Sequence, residues 1–313
     1  MTGRLGAWAL PGRTLALSAV ATVVLVSAIV VAYLSGGTQG ALALGMGALA
    51  SLRPAITLKP LHSFALAVPT AMAGAVAVAL RGQPLVAAFF VVLCCLLVAP
   101  AGTLHDGLLA TVPTVVAVLV LVPGDFQPGR TAIWMLIGGA LVVGVATRLP
   151  RRTAAPGIEQ RRAWRHAAVM ALSTGAVVYM VGIWDLPHGY WVALTLTVVL
   201  RPFDEQTLTK STQRVLGTIA GALLALLAAV LLPVPALLVL LVACTVLSTA
   251  YALRSDYARQ VLFMTPAIVL LGSAGHSLLI ASERAAATLA GALLAVAIAL
   301  GLAAFDNRRR STP

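Results

Sequence analysis

The sequence predicts an all-α fold, a polytopic integral membrane protein of about twelve transmembrane helices arranged as two parallel six-helix repeats. Three observations carry that expectation: composition, the sidedness of the basic residues and a self-match between the two halves. Of the 313 residues 60% are hydrophobic and 10% charged, and the mean hydropathy is +1.01, far from soluble averages. A formal net charge of +12 would point a soluble chain toward nucleic acid. Here membrane sidedness accounts for it, so the expected partner is the lipid bilayer and no nucleic acid.

Apolar runs between Gly, Pro and charged punctuation place spans at about 14–34, 40–52, 61–80, 84–100, 103–122, 130–149, 167–184, 188–201, 211–232, 235–253, 258–273 and 280–304. The first run follows Arg4 and Arg13 like a signal peptide, but it is longer than an h-region and more spans follow, so it reads as a retained span. Cys94, Cys95 and Cys244 sit inside apolar runs and read as core residues, neither a disulfide framework nor a zinc site.

With twelve spans and a cytoplasmic N-terminus, only Arg81, Arg130 and Arg284 fall outside, leaving 18 of the 21 Lys and Arg residues on the inner face. That bias orients the chain in the plasma membrane with both termini cytoplasmic. The basic segment RLPRRTAAPGIEQRRAWRH divides it. The expected organisation is a first repeat over 1–149, a cytoplasmic linker over 150–166, a second repeat over 167–305 and a tail over 306–313.

At an offset near 150 residues, Leu52-Arg53-Pro54 falls on Leu200-Arg201-Pro202, Pro69-Thr70 on Gly217-Thr218 and Cys94 on Cys244. Pro113 likewise meets Pro266 and Arg130 meets Arg284, and the prolines within spans read as kinks. Gly40 to Leu52 and His188 to Leu200 are each too short to cross about 30 Å of hydrocarbon. Each ends in Leu-Arg-Pro, and proline disfavours helical geometry at the residue before it, so both helices are expected to stop near the arginine. Paired short segments point to a transporter's binding region. Arg53 and Arg201 are either inner-face topogenic anchors or the walls of an anion vestibule.

The stretch GYWVALTLTVVLRPFDEQTLTKSTQRVLGTIAGALLA contains the pair Tyr190-Trp191, a polar turn after Arg201-Pro202, and Arg-x-x-Gly-Thr-x-x-Gly from Arg214 to Gly221. An echo, Glu283-Arg284-x-x-x-Thr288-x-x-Gly291, opens the last span. This pattern resembles the fusaric acid resistance family, also described as aromatic acid exporters. The resemblance implies a membrane exporter of aromatic or other small organic acids, with a plan similar to that of plant malate channels. The large cytoplasmic domain common between the halves of such exporters is replaced here by the short linker.

Read from the residues, Gly217 and Gly221 share a helical face and permit close helix approach, as does Gly291, and Thr218 can bond across such a contact. Arg214 lies one turn earlier on the same side, as an anchor or as part of an anion path. Tyr190 and Trp191 belong to an interfacial aromatic belt or stack on an aromatic substrate. The substrate-pathway candidates are thus Arg53, Arg201, Lys210, Arg214, Thr218, Tyr190 and Trp191.

No metal-ligand or paired-carboxylate motif occurs, so neither an enzyme nor a metal or cofactor is expected. None of the nine acidic residues falls at mid-span; Asp106 and Glu283 come nearest to a proton-carrying position. The expectation is a plasma-membrane exporter of small organic anions working between the repeats. A channel-like uniporter, a non-transporting scaffold and a homo-oligomeric assembly stay open.

Overall fold

Proline opens five of the twelve helices in the computed structural model, because its fixed φ suits the first turn and its missing N–H would be unbonded there anyway. The structure describes residues 11–104, 109–148, 156–186, 188–200, 204–254, 256–272 and 277–311, without the side chains of 13, 204–206, 234, 271–272, 277–282, 284–285, 303 and 305–311. Arg201, Asp106 and the Arg284 side chain lie outside these described residues. The helices are α1 Gly12–Thr57, α2 Pro60–Ala79, α3 Pro84–Leu96, α4 Val98–Leu104, α5 Val112–Leu121, α6 Pro128–Ala146, α7 Gln160–Trp184, α8 Tyr190–Val199, α9 Asp204–Leu231, α10 Val234–Leu253, α11 Tyr257–Gly272 and α12 Ser277–Ser311. No strand occurs among the described residues.

Among the described residues, seven helices are long and apolar enough to cross a membrane, with α3 and α4 counted together as Pro84–Leu104. The 46 residues of α1 would extend about 69 Å, more than twice the hydrocarbon thickness. Gly37 divides it, with φ 62° and ψ −157°, a backbone conformation that side-chain-bearing residues rarely adopt. The two segments correspond to the first two expected spans.

The second of these is not short. The sequence leads one to expect a helix that stops at Arg53, yet it runs through Pro54 to Thr57. Pro54 has no N–H for the carbonyl of Ala50, and Thr111 Oγ1 donates to that carbonyl instead, at 3.4 Å. Ser63 Oγ donates to the Pro54 carbonyl at 2.9 Å. The short helix of the first half is α5, with 10 residues where the sequence indicated a span over 103–122. Pro113 is also reassigned: it lies in the first turn of α5 and kinks nothing. In the second half α8 ends as expected, with Leu200 extended at φ −61° and ψ 128°.

The chain divides into two compact units. The larger comprises Leu25–Ser211 and Ala290–Pro313. In it α2 packs on α6, α3 and α4 on α7, and α5 on α8. The two ten-residue helices α5 and α8 are joined by Thr114 Oγ1 donating to Thr197 Oγ1 at 2.9 Å, both residues buried. Its core is Ala, Val and the buried free cysteines Cys94 and Cys95. Small residues set the helix spacing: a Cβ on Gly47 would strike the Met135 backbone, and one on Gly138 the Leu44 carbonyl. The region expected to be linker is helical from Gln160, which places Arg161, Arg162 and Arg165 on the first turns of α7.

The smaller unit comprises Met1–Val24 and Thr212–Leu289. Here α10 packs on α11, and Thr22 Oγ1 donates to Thr249 Oγ1 at 3.3 Å, fastening the start of α1 to α10. Gly217 and Gly221 bring α9 against α11, where added Cβ atoms would stand 3.0 Å from Val261 Cγ1 and 2.6 Å from the Leu262 carbonyl oxygen.

Gly47 and Gly45 provide a matched test of this packing. Gly47→Ala places a methyl against the Met135 backbone and should destabilise by about 1–3 kcal/mol. At Gly45 a Cβ meets nothing within 4 Å, so Gly45→Ala should be neutral or stabilising by up to about 1 kcal/mol through helix propensity. Thermal unfolding of the two purified variants in detergent should therefore shift in opposite directions; equal shifts would refute the close α1–α6 approach.

Candidate functional site

The sequence of α9 begins polar, DEQTLTKSTQR, and becomes apolar after Arg214. Its buried face nevertheless keeps the polar residues Thr207, Ser211, Arg214 and Thr218, at helical spacings of three and four. Arg214 is 2% exposed, and its Nε and Nη2 have no hydrogen-bond partner among the described residues. It is the largest fully buried side chain in the described structure. A guanidinium always carries its charge, and burying it unpaired costs several kcal/mol.

One turn beyond, Thr218 is equally buried and its Oγ1 is also unpartnered. On α12 Thr288 repeats this state, 1% exposed with an unpartnered hydroxyl. These two threonines line one cavity of about 150 Å³, whose other walls are the apolar Val215, Ile219, Ala286 and Leu289. The two sequence motifs thus meet: the threonine of Arg-x-x-Gly-Thr faces the threonine of the Glu-Arg-x-x-x-Thr echo. Chemically the smaller unit offers a sealed cation, two hydroxyls able to donate or accept, and an apolar chamber. That combination suits a small anion with an apolar body.

The other sequence candidates lie elsewhere. Arg53 is half-buried in the last turns of α1, and Lys210 is half-buried on α9; both have interaction partners. Tyr190 and Trp191 open α8 with ring centroids 5.1 Å apart, and His188, at φ 59°, lies 5.9 Å from Tyr190 edge-on. Gly291 seats α12 on α8 in the larger unit, where its Cβ would approach the Val192 carbonyl at 2.8 Å and Thr195 Cβ at 2.9 Å. Glu283 is half-buried on α12 and partnered. Arg201 and Asp106 lie outside the described residues.

Sequence reasoning overlooked Thr288 as a site residue, although it stood in the quoted echo. It also passed over Arg81, whose only signal was its place among the three basic residues on the sparsely charged side.

Multiple long apolar helices, with polar groups sealed between them, define a multi-pass membrane protein. Residues 172–298 match the family described as fusaric acid resistance protein-like. That stretch, about two fifths of the chain, holds α8, α9, α10, α11 and both motifs. An uncharacterised protein of Synechocystis sp. is 32% identical over 148 residues, which are 47% of this chain and 19% of that relative. The match thus spans about a fifth of that relative's length. No solved structure matches the chain.

If Arg214 is held for an exchangeable anion, the empty protein bears the charge at a loss. Arg214→Met should then leave thermal stability unchanged or raise it, by up to about 4 kcal/mol, as apolar replacement of buried charge commonly does. A strongly destabilised but correctly inserted Arg214→Met protein would show instead that the guanidinium is a structural tie.

Proposed function

We propose that the protein is a plasma-membrane transporter that exports small organic anions, aromatic carboxylates foremost. The observation that carries this reading is the buried Arg214 guanidinium, two of whose nitrogens have no partner among the described residues, one helical turn from the hydroxyl of Thr218. A carboxylate supplies the missing acceptors, and charge-assisted hydrogen bonds of this kind are the strong ones. The neighbouring cavity of about 150 Å³ is of the size that accepts a benzene ring in an apolar protein interior. The family description names resistance to fusaric acid, itself an aromatic carboxylic acid. The excess of basic residues on one side supports cytoplasmic termini and an inner face that collects anions before export. Arg53, Arg201 and Lys210 belong to that collecting field, and Tyr190 and Trp191 offer aromatic faces to the substrate.

Flux measurements test this directly. Purified protein in liposomes loaded with labelled benzoate should give saturable counterflow. Arg214→Met should reduce it at least tenfold, the loss of about 1.5–3 kcal/mol of charge-assisted bonding. The Arg53→Ala, Arg201→Ala double variant should reduce it without reducing insertion. Flux that does not saturate identifies a channel in place of a carrier, and no flux of any aromatic acid overturns the transport reading.

A further inference from the structure

The larger unit holds a cavity unrelated to the Arg214 site. It has a volume of about 680 Å³ and lies at the break in α1, lined by Gly37, Gln39, Arg81, Asp125, Phe126 and Arg130 among others. The second segment of α1 leads from this cavity to Arg53, about 24 Å away along the helix axis, so the cavity and Arg53 occupy opposite ends of that segment.

Its fixed side-chain charges are unequal, two guanidinium groups against one carboxylate. Two helix starts meet here, the restart of α1 after Gly37 and the first turn of α6 at Pro128, and Gln39 Nε2 ties them by donating to the Gln127 carbonyl at 2.8 Å. Helix starts carry partial positive charge and favour acids, yet α6 has no acidic residue in its first turn and has Arg130 instead. Arg81 adds a second guanidinium, fixed by its Nε donating to the Leu119 carbonyl and its Nη1 to the Gly124 carbonyl, both at 2.7 Å. Phe126 covers one face of that group at 4.0 Å, and Nη2 is buried without a partner. Desolvation holds the Arg81 guanidinium down to about 10. Asp125 is the one acid on the wall, and neither arginine forms an ion pair within the described residues. The ends of the first α1 segment, of α2 and of α5 also reach this wall, so helix dipoles largely offset one another, and the net positive charge is that of two guanidinium groups against one carboxylate, which a bound anion neutralises.

We infer that this cavity is a second anion-binding station, one that takes small aromatic carboxylates at the end of the larger unit remote from Arg53. Arg130, exposed on the wall, meets the carboxylate; Arg81 supplies a fixed charge behind it; Phe126 presents an aromatic surface. The inference takes its chemical class of ligand from the proposed function, but it uses none of the Arg214 site.

Radiolabelled benzoate binding to the purified full-length protein separates the two. The wild type should bind two equivalents, and Arg214→Met should lose one and keep the other. Arg130→Gln should weaken the retained site about tenfold, the loss of one charged contact, without lowering the melting temperature, because Arg130 is exposed and makes no described bond. Arg81→Lys keeps a positive charge and should retain most of that binding. If one equivalent binds and Arg130→Gln weakens it while Arg214→Met does not, the second station stands and the Arg214 reading falls. If Arg214→Met binds no benzoate, or Arg130→Gln binds as tightly as wild type, the second station is overturned.

Discussion

A peptide carbonyl without a donor inside hydrocarbon costs several kcal/mol, and this chain places proline where it creates such carbonyls. Pro54 removes the N–H that would bond the Ala50 carbonyl, and Pro123, just past the end of α5, the one that would bond the Leu119 carbonyl. Both carbonyls are met from outside the helix. Thr111 Oγ1 donates to Ala50 and Arg81 Nε donates to Leu119. The arrangement of helices around these prolines is therefore tied to particular partners. It also explains why Arg81 faces the end of α5: its first duty is to a backbone left open by proline, and the charge comes with it.

The second constraint is that lipid supplies no hydrophobic force between helices, so association depends on close contact. Glycine makes that contact at Gly47 on Met135, Gly138 on Leu44, Gly217 and Gly221 on α11, and Gly291 on α8. These approaches bring helix backbones into direct contact. Polar groups on the same faces, including Arg214, Thr218 and Thr288, are sealed as a consequence. Packing glycines and polar residues thus share a motif for one physical reason: the glycines create the dry environment in which the neighbouring polar groups act strongly.

Much of this was legible from local sequence. The apolar runs fall on the helices, the prolines at run boundaries start them, and α8 stops before Arg201 as the following proline requires. The motif around Arg214 and its echo around Thr288 were also visible. What failed were features decided by distant partners. Pro54 reads as a stop because nothing nearby reveals that Thr111, 61 residues away, will bond the carbonyl it frees. Arg81 reads as a stray outer charge because its partners are the carbonyls of Leu119 and Gly124, and a carbonyl has no sequence signature. The length of α5 was misjudged because its flanks at Thr103 and Leu104 are apolar enough to join it yet fold as the end of α4.

Under the proposed function, the contrast between the two arginines is one between structural and exchangeable charge. Arg81 uses two of its three nitrogens on backbone and stacks on Phe126, so most of its desolvation is offset by fixed partners. Arg214 is more deeply buried, and two of its nitrogens have no partner among the described residues, with the hydroxyl of Thr218 one turn away. Anchoring alone does not account for that state, since an anchor at a membrane surface would extend toward headgroups and water. Packing alone does not account for it either, since methionine or leucine fills the same volume without a desolvation penalty. On the proposed transport reading, an anion completes that guanidinium for part of a cycle and then leaves. Transport requires such incomplete satisfaction, because a site fully bonded by the protein itself would have nothing to offer a passing carboxylate.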